Sequence, residues 1–246
     1  MKTPVRWTLA AAVAAVVLVG AKFALADRLA LWRIVHEQCV PAADRHEPLP
    51  PPCLSVGGAD VVIKDRNGVA QLLEIPAAQV TGIEDPQALD EKAPNYFAAA
   101  WRARELMTRY RKAAPPREAV GITINSKYSR SQDQMHLHVD CLRPEVAQAL
   151  AAYAPHLDSE WRPMTEALHG RKYWARRLDD LENANPFRLL ADGVAGAREK
   201  MDLWSLAVVP VQYDGKPGFA LLADPAELTA GGHAEDLQDH DCALAQ

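Results

Sequence analysis

His136 and His138, in the run Gln134-Met135-His136-Leu137-His138-Val139, are the residues whose types and spacing best suit chemistry. On a strand, side chains alternate between faces, so Met135, Leu137 and Val139 turn to a core while Gln134, His136 and His138 share the other face. A neutral imidazole in such a row can attack phosphorus, and its neighbours can donate hydrogen bonds to the oxygens that gain charge. The segment upstream repeats the pattern, with Val120, Ile122 and Ile124 inward and Gly121, Thr123 and Asn125 on the polar side. Between the two lies a polar loop in which Ser126, Lys127, Ser129, Arg130, Ser131 and Gln132 supply donors suited to phosphate oxygens. Two other readings compete. Idle surface histidines are the default for any isolated His-x-His, and a metal site would need a further ligand, for which Asp140 is the only local candidate. The donor-rich loop favours phosphorus chemistry over both. No P-loop, GxSxG elbow, HExxH or GxGxxG is present, and the cysteines are not in CxxC pairs, so no metal or cofactor is expected.

Positioning those side chains calls for paired strands. Asp60 to Lys64 and Ala70 to Ile75 read as strands joined across Asp65-Arg66-Asn67-Gly68, where Asn-Gly marks a hairpin. Ala119 to Asn125 and Gln134 to Cys141 form the candidate pair, and Leu203 to Val211 with Phe219 to Leu222 turn at Asp214-Gly215. Helices are expected over Asp27 to Gln38, Asn95 to Lys112, Arg143 to Ala152 and Pro186 to Met201. Strand pairs joined by tight turns, with helices interspersed, predict an α+β fold on an antiparallel sheet. The four cysteines are compatible with two disulfides. A Cys39–Cys53 bridge would staple the Pro-rich stretch between them and leave Cys141 to tie a central strand to Cys242, although three pairings are open. From Pro217 onward there are six acidic residues and no Lys or Arg; this tail, with His233 and His240, reads as solvent-exposed. Arg171, Lys172, Arg176 and Arg177, beside Tyr173 and Trp174, suit either a lipid surface or a solvated strand face.

The 246 residues carry a net charge of −5, which argues against a general nucleic-acid binder. Apolar residues at 49% and charged ones at 24% exclude wholesale disorder and a polytopic membrane protein. Lys2 and Arg6 precede an uncharged run from Trp7 to Ala21, and Lys22 can snorkel to let the span reach Ala26. Ala24-Leu25-Ala26 also fits a signal-peptidase site. The sequence thus divides into a signal anchor over 1–26, a juxtamembrane helix and Pro-rich loop over 27–58, and a catalytic domain over 59–246. Leu29, Leu31, Trp32 and Val35 suit a helix lying along the membrane interface.

The alternating run at Gln134–Val139, with Asn125-Ser126 and Ser131-Gln132-Asp133 before it, resembles the motif of the histidine-triad superfamily. The wider pattern resembles one branch, the CDP-diacylglycerol pyrophosphatases. The likeness runs through the N-terminal segment, Pro94-Asn95-Tyr96-Phe97, Ala100-Trp101-Arg102-Ala103-Arg104, Cys141-Leu142-Arg143-Pro144, Tyr173-Trp174-Ala175-Arg176-Arg177 and Gln238-Asp239-His240-Asp241-Cys242. It implies a histidine-triad-like sheet with packed helices and hydrolysis of CDP-diacylglycerol to CMP and phosphatidate. It further implies His136 as nucleophile, His138 in the third triad position, and Gln134 where the first histidine usually stands, still able to donate. Asn125, Ser126, Arg130, Ser131 and Gln132 would bind the substrate. The implied setting is a single-pass protein of a bacterial inner membrane, its domain in the periplasm at the lipid surface, with no cofactor, nucleic acid or obligate protein partner. A histidine-triad hydrolase or nucleotidyltransferase acting on soluble nucleotides is the alternative enzyme, and a membrane-tethered binding protein without activity the alternative of another class.

Overall fold

Nine strands, every pair antiparallel, make one sheet in the computed structural model, which describes residues 28–225 and 232–245. In chain order these are β1 (Cys53–Val56), β2 (Asp60–Lys64), β3 (Leu72–Pro76), β4 (Val120–Ile124), β5 (Leu137–Cys141), β6 (Arg162–Pro163), β7 (Trp174–Leu178), β8 (Trp204–Tyr213) and β9 (Lys216–Pro225). They lie side by side as β1-β2-β3-β5-β4-β8-β9-β7-β6. The α+β expectation holds. The Asp214-Gly215 turn shows why β8 and β9 meet where they do: both residues have positive φ (51° and 75°), the pair a two-residue hairpin turn demands.

Helices cover both faces. On one, α2 (Tyr96–Ala103) and α4 (Pro186–Gly193) pack over Leu72, Ile122, Leu137, Val139 and Leu206. On the other, a helical stretch over 30–44 (α1) buries Leu31, Val35 and Cys39 against Val61, Ile63, Leu73 and Ile75, and α3 (Pro144–Tyr153) sets Val146 and Leu150 on Ala207 and Val209. The α1 packing corrects the picture of a helix lying on a membrane, because its Leu31–Val35 face is taken up by the sheet. Only Leu29 of the apolar set is exposed. The anchor or signal expected over 1–26 lies outside the described residues, and among the described residues no helix is long and apolar enough to cross a membrane.

Three other expectations shift. The helix expected to run to Lys112 is α-helical only to Ala103 and continues as 3-10 turns over Arg104–Tyr110, where the Arg104 guanidinium stacks 4.0 Å from the Trp101 ring and donates to the Trp101 carbonyl that α-helical continuation would use. The segment from Gln134 joins the ladder only at Leu137, since Pro76 at the end of β3 has no N–H to offer. The described part of the acidic tail beyond β9, 232–245, is folded against the sheet. Gln238 donates to the carbonyls of Gly121 (2.9 Å) and His138 (3.1 Å) and accepts from Thr123 (3.0 Å), which covers the polar face of β4 and β5. Cys141–Cys242 and Cys39–Cys53 are both bonded, with Cα separations of 5.0 and 5.6 Å.

Glu74 is an anomaly of this core. It sits on the α2 side of β3, fully buried, with neither carboxylate oxygen hydrogen-bonded among the described residues. Burial, reinforced by the nearby Asp60 charge, pushes its carboxyl well above the ordinary range, so the folded chain keeps a proton that the unfolded chain loses above about pH 4.3. Stability from this group is therefore lost as pH rises from there toward the raised pKa. Glu74→Leu is expected to stabilise the fold at pH 8 by about 1–3 kcal/mol, and by less at pH 4, where the unfolded chain too is mostly protonated. Thermal melts at the two pH values check this; a gain independent of pH would contradict it.

Candidate active site

His136 stands just before β5, held by the local chain. Its Nδ1 lies 2.7 Å from the Gln134 carbonyl oxygen. A carbonyl only accepts, so Nδ1 carries the proton and the lone pair is on Nε2. The side chain is buried, which lowers its pKa against the opposing pull of the Gln134 bond; the Arg130 charge lowers it further. Neutral imidazole is thus the prevailing form at pH 7.

His138 is on β5, between Leu73 of β3 and Thr123 of β4. Its Nδ1 is 3.1 Å from Glu235 Oε1 and 2.9 Å from Gln71 Nε2, and Gln71 Nε2 itself donates to Glu235 Oε1 at 3.1 Å. A carboxylate only accepts, so a lone pair on Nδ1 would face the lone pairs of Oε1 at 3.1 Å, whereas the Nδ1–H tautomer donates to Glu235, and Gln71 Nε2 then donates to the same oxygen rather than to Nδ1. The other nitrogen, Nε2, is buried without a hydrogen-bond partner among the described residues. Burial lowers the His138 pKa to about 4, with Glu235 opposing. The two rings sit edge to face, centroids 5.0 Å apart.

Glu235 comes from the C-terminal segment. Asn125 Nδ2 donates to its Oε2 at 2.9 Å, and the Glu235 backbone N–H returns a bond to Asn125 Oδ1 at 3.2 Å. Burial pushes its carboxyl up, but His138, Asn125 and Gln71 together hold it below the usual range. Behind it, His240 Nδ1 meets the fully buried Asp140 at 2.8 Å, and His240 Nε2 is 3.9 Å from Glu235 Oε1.

These groups open on a cleft of about 430 Å³ between α1 and the C-terminal segment. Leu31, Ile34, Ile63 and Leu73 form its apolar lining; Lys64, Asp65, Arg66, Asn67, Ser131 and Gln132 form the polar lining beside His136, His138 and Glu235. Of the residues expected from sequence, His136, His138, Ser131 and Gln132 therefore meet at the cleft, and Asn125 stands behind Glu235. Three expected donors are turned elsewhere. Gln134 is fully buried and donates to the carbonyls of Pro76 (3.0 Å) and Ala78 (2.9 Å). Arg130 grips both oxygens of Glu84 (2.6 and 2.7 Å) and reaches Asp133 (3.2 Å). Ser126 is buried, its Oγ 3.3 Å from that of Ser129. For a metal, Asp140, Cys141 and Cys242 come close together, but the two sulfurs are bonded to each other. Sequence reasoning missed Gln71, Glu235, His240 and the α1 wall. The Cys141–Cys242 bridge was the one signal that 234–242 must lie beside β5.

The chain belongs to the CDP-diacylglycerol pyrophosphatase family, whose sequence pattern matches residues 26–246. A relative named CDP-diacylglycerol pyrophosphatase, from Yersinia pestis, is 41% identical over 227 residues, covering 90% of this chain and 86% of that protein. Among solved structures, Hnt3 in complex with DNA and guanosine aligns with a TM-score of 0.32 and 11% identity over 51% of this chain and 69% of that one.

Proposed function

We propose that this protein hydrolyses the pyrophosphate bond of CDP-diacylglycerol, giving CMP and phosphatidate, with His136 as the nucleophile. The observation that carries the reading is the His136 tautomer: its proton is fixed by the Gln134 carbonyl, and its Nε2 makes no hydrogen bond among the described residues of a cleft that is apolar on one side and polar on the other. His136 Nε2 attacks the cytidylyl phosphorus, and the P–O bond to the bridging oxygen breaks. Phosphatidate leaves as a phosphate monoester whose second pKa near ~6 makes it a tolerable leaving group without protonation. Water then attacks the cytidylyl-imidazole, the P–N bond returns its electron pair to His136, and CMP departs. Ser131 and Gln132 are placed to donate to the phosphate oxygens, and the exposed Arg66 offers a charge for the diphosphate. Gln134, Arg130 and Ser126 serve by fixing the loop that presents His136.

The apolar lining suits the glycerolipid half of the substrate, and because α1 supplies part of it, the catalytic unit is read as including 30–58 together with 59–246. Location follows the same reading: a single-pass anchor over 1–26 in a bacterial inner membrane, with the folded part in the periplasm. Two formed disulfides suit an oxidising compartment. The wall-forming helix begins at Ala30, four residues after Ala26, the end of the extended span.

A product assay in detergent tests this. CDP-diacylglycerol is expected to yield CMP and phosphatidate far faster than water-soluble CDP esters yield CMP. Equal rates would favour the soluble-nucleotide enzyme, and lasting binding without product a tethered binding protein. Run on fractionated cells, the same assay is expected to find activity with the membranes. Soluble activity from a chain starting at Asp27 would contradict the anchor.

A further inference from the structure

Gln134 occupies the first triad position, yet its amide faces Pro76 and Ala78 and makes no bond to either histidine. The group that orders the site must come from elsewhere, and the cluster shows which it is. Three side chains from three parts of the chain converge on the Glu235 carboxylate: Asn125 from the end of β4, Gln71 from the start of β3, and His138. The carboxylate is largely buried, its side chain 17% exposed. It is brought there by a segment that Gln238 stitches to β4 and β5 and that Cys242 bonds to Cys141.

One consequence is left at His138. With Nδ1–H turned to Glu235, the Nε2 lone pair is a buried acceptor without a donor among the described residues, in a residue that lines the cleft. Such an orphan is rare in a folded protein and marks a place where a donor arrives during function. The hydrolysis described above has one step that needs an acceptor. Departure of phosphatidate moves no proton, but attack by water on the cytidylyl-imidazole releases one.

We propose that Glu235 is a positioning residue for the second half of the reaction, holding the His138 proton on Nδ1 so that Nε2 accepts the proton of the attacking water. In that step the water oxygen bonds to phosphorus and the P–N bond to His136 breaks, its electron pair returning to His136 Nε2. The water proton goes to His138 Nε2, and the resulting imidazolium faces the Glu235 carboxylate. His138 then yields that proton to solvent as CMP leaves. This rests on the reading of His136 as nucleophile, and the experiment separates the two.

Full-length protein in detergent micelles is mixed with CDP-diacylglycerol labelled in the cytidine, and samples are quenched in alkali, in which phosphoramidates survive. In Glu235→Gln, labelling of the protein is expected at close to the wild-type rate, while release of CMP slows by on the order of 10²-fold. His138→Gln should behave alike, and the double variant should be no slower than His138→Gln alone, because the two residues act as one unit. A misfolded fraction lowers the amplitude of labelling, not the rate constant of release, so it cannot imitate this result. Wild-type release by Glu235→Gln, equal slowing of labelling and release, or losses that multiply in the double variant would each overturn the proposal. CMP release by the wild type with no labelled protein would instead overturn the His136 reading, and this proposal with it.

Discussion

Replacing His136 by alanine is expected to reduce hydrolysis of CDP-diacylglycerol by on the order of 10⁴-fold or more, since in the proposed mechanism the variant lacks the atom that forms the bond to phosphorus. The fold should survive. His136 stands outside the β5 ladder, which begins at Leu137. The contacts that set the chain path do not pass through its ring: Met135 N–H donates to the Val80 carbonyl at 2.6 Å, and Gln134 holds the end of β3. What the substitution loses is the hydrogen bond to the Gln134 carbonyl, worth about 1 kcal/mol, and the edge-to-face contact with the His138 ring, worth about 0.5–1.5 kcal/mol. Far-UV circular dichroism and a thermal melt close to wild type, beside lost turnover, are the expected pair of results. A folded variant that turns over normally would show that another group attacks phosphorus.

The second large effect is expected at Cys141–Cys242. This bridge closes a loop of sequence separation 101, and loss of a constraint of that length costs about 4.7 kcal/mol on the chain-entropy view. For a chain of this size that is a fall in Tm of roughly 10–20 °C. The Cys141→Ser, Cys242→Ser double variant should also lose activity at temperatures where the sheet is still folded, because Glu235, Gln238 and His240 all lie on the segment the bridge pins. Leu142 and Arg143 still meet that segment, through the Leu142–Gln238 bridge and the bond from Arg143 to the Asp236 carbonyl, so activity is expected to fall rather than vanish. The Cys39–Cys53 bridge closes a separation of only 14 and ties α1 to β1, so its removal should cost less, about 3 kcal/mol. Calorimetry and assays of the two double variants check both statements. Unchanged melting and activity in the Cys141/Cys242 variant would contradict them.

The contrast between those bridges shows what local sequence can carry. Asn67-Gly68 and Asp214-Gly215 announce their hairpins because the turn chemistry is written in adjacent residues, and the alternation around Leu137 and Val139 announces which side chains are buried. His136 and His138 were legible for the same reason. Glu235 was not, because nothing within 234–242 distinguishes a carboxylate that will be buried from one that will be solvated. Its burial is decided by Asn125, Gln71 and the disulfide, all distant in sequence. Arg130 and Gln134 misled in the opposite direction. Each is a good donor by type, but Glu84 and the carbonyls of Pro76 and Ala78, which claim them, come from the end of β3 and the loop after it, whose position depends on the whole sheet. The helix expected over Asp27 to Gln38 reads as amphipathic in sequence, and only the hydrophobic face of β2 and β3 determines that its apolar side meets protein.

The most direct measurement is the identity of the covalent intermediate. Wild-type protein mixed with CDP-diacylglycerol, quenched in alkali within one turnover and digested, is expected to carry a cytidylyl group on the peptide that contains His136, bonded to Nε2, and to lose it as CMP accumulates. CMP formed with no cytidylyl group on the protein, or a group found on His138 instead, would contradict His136 as the nucleophile.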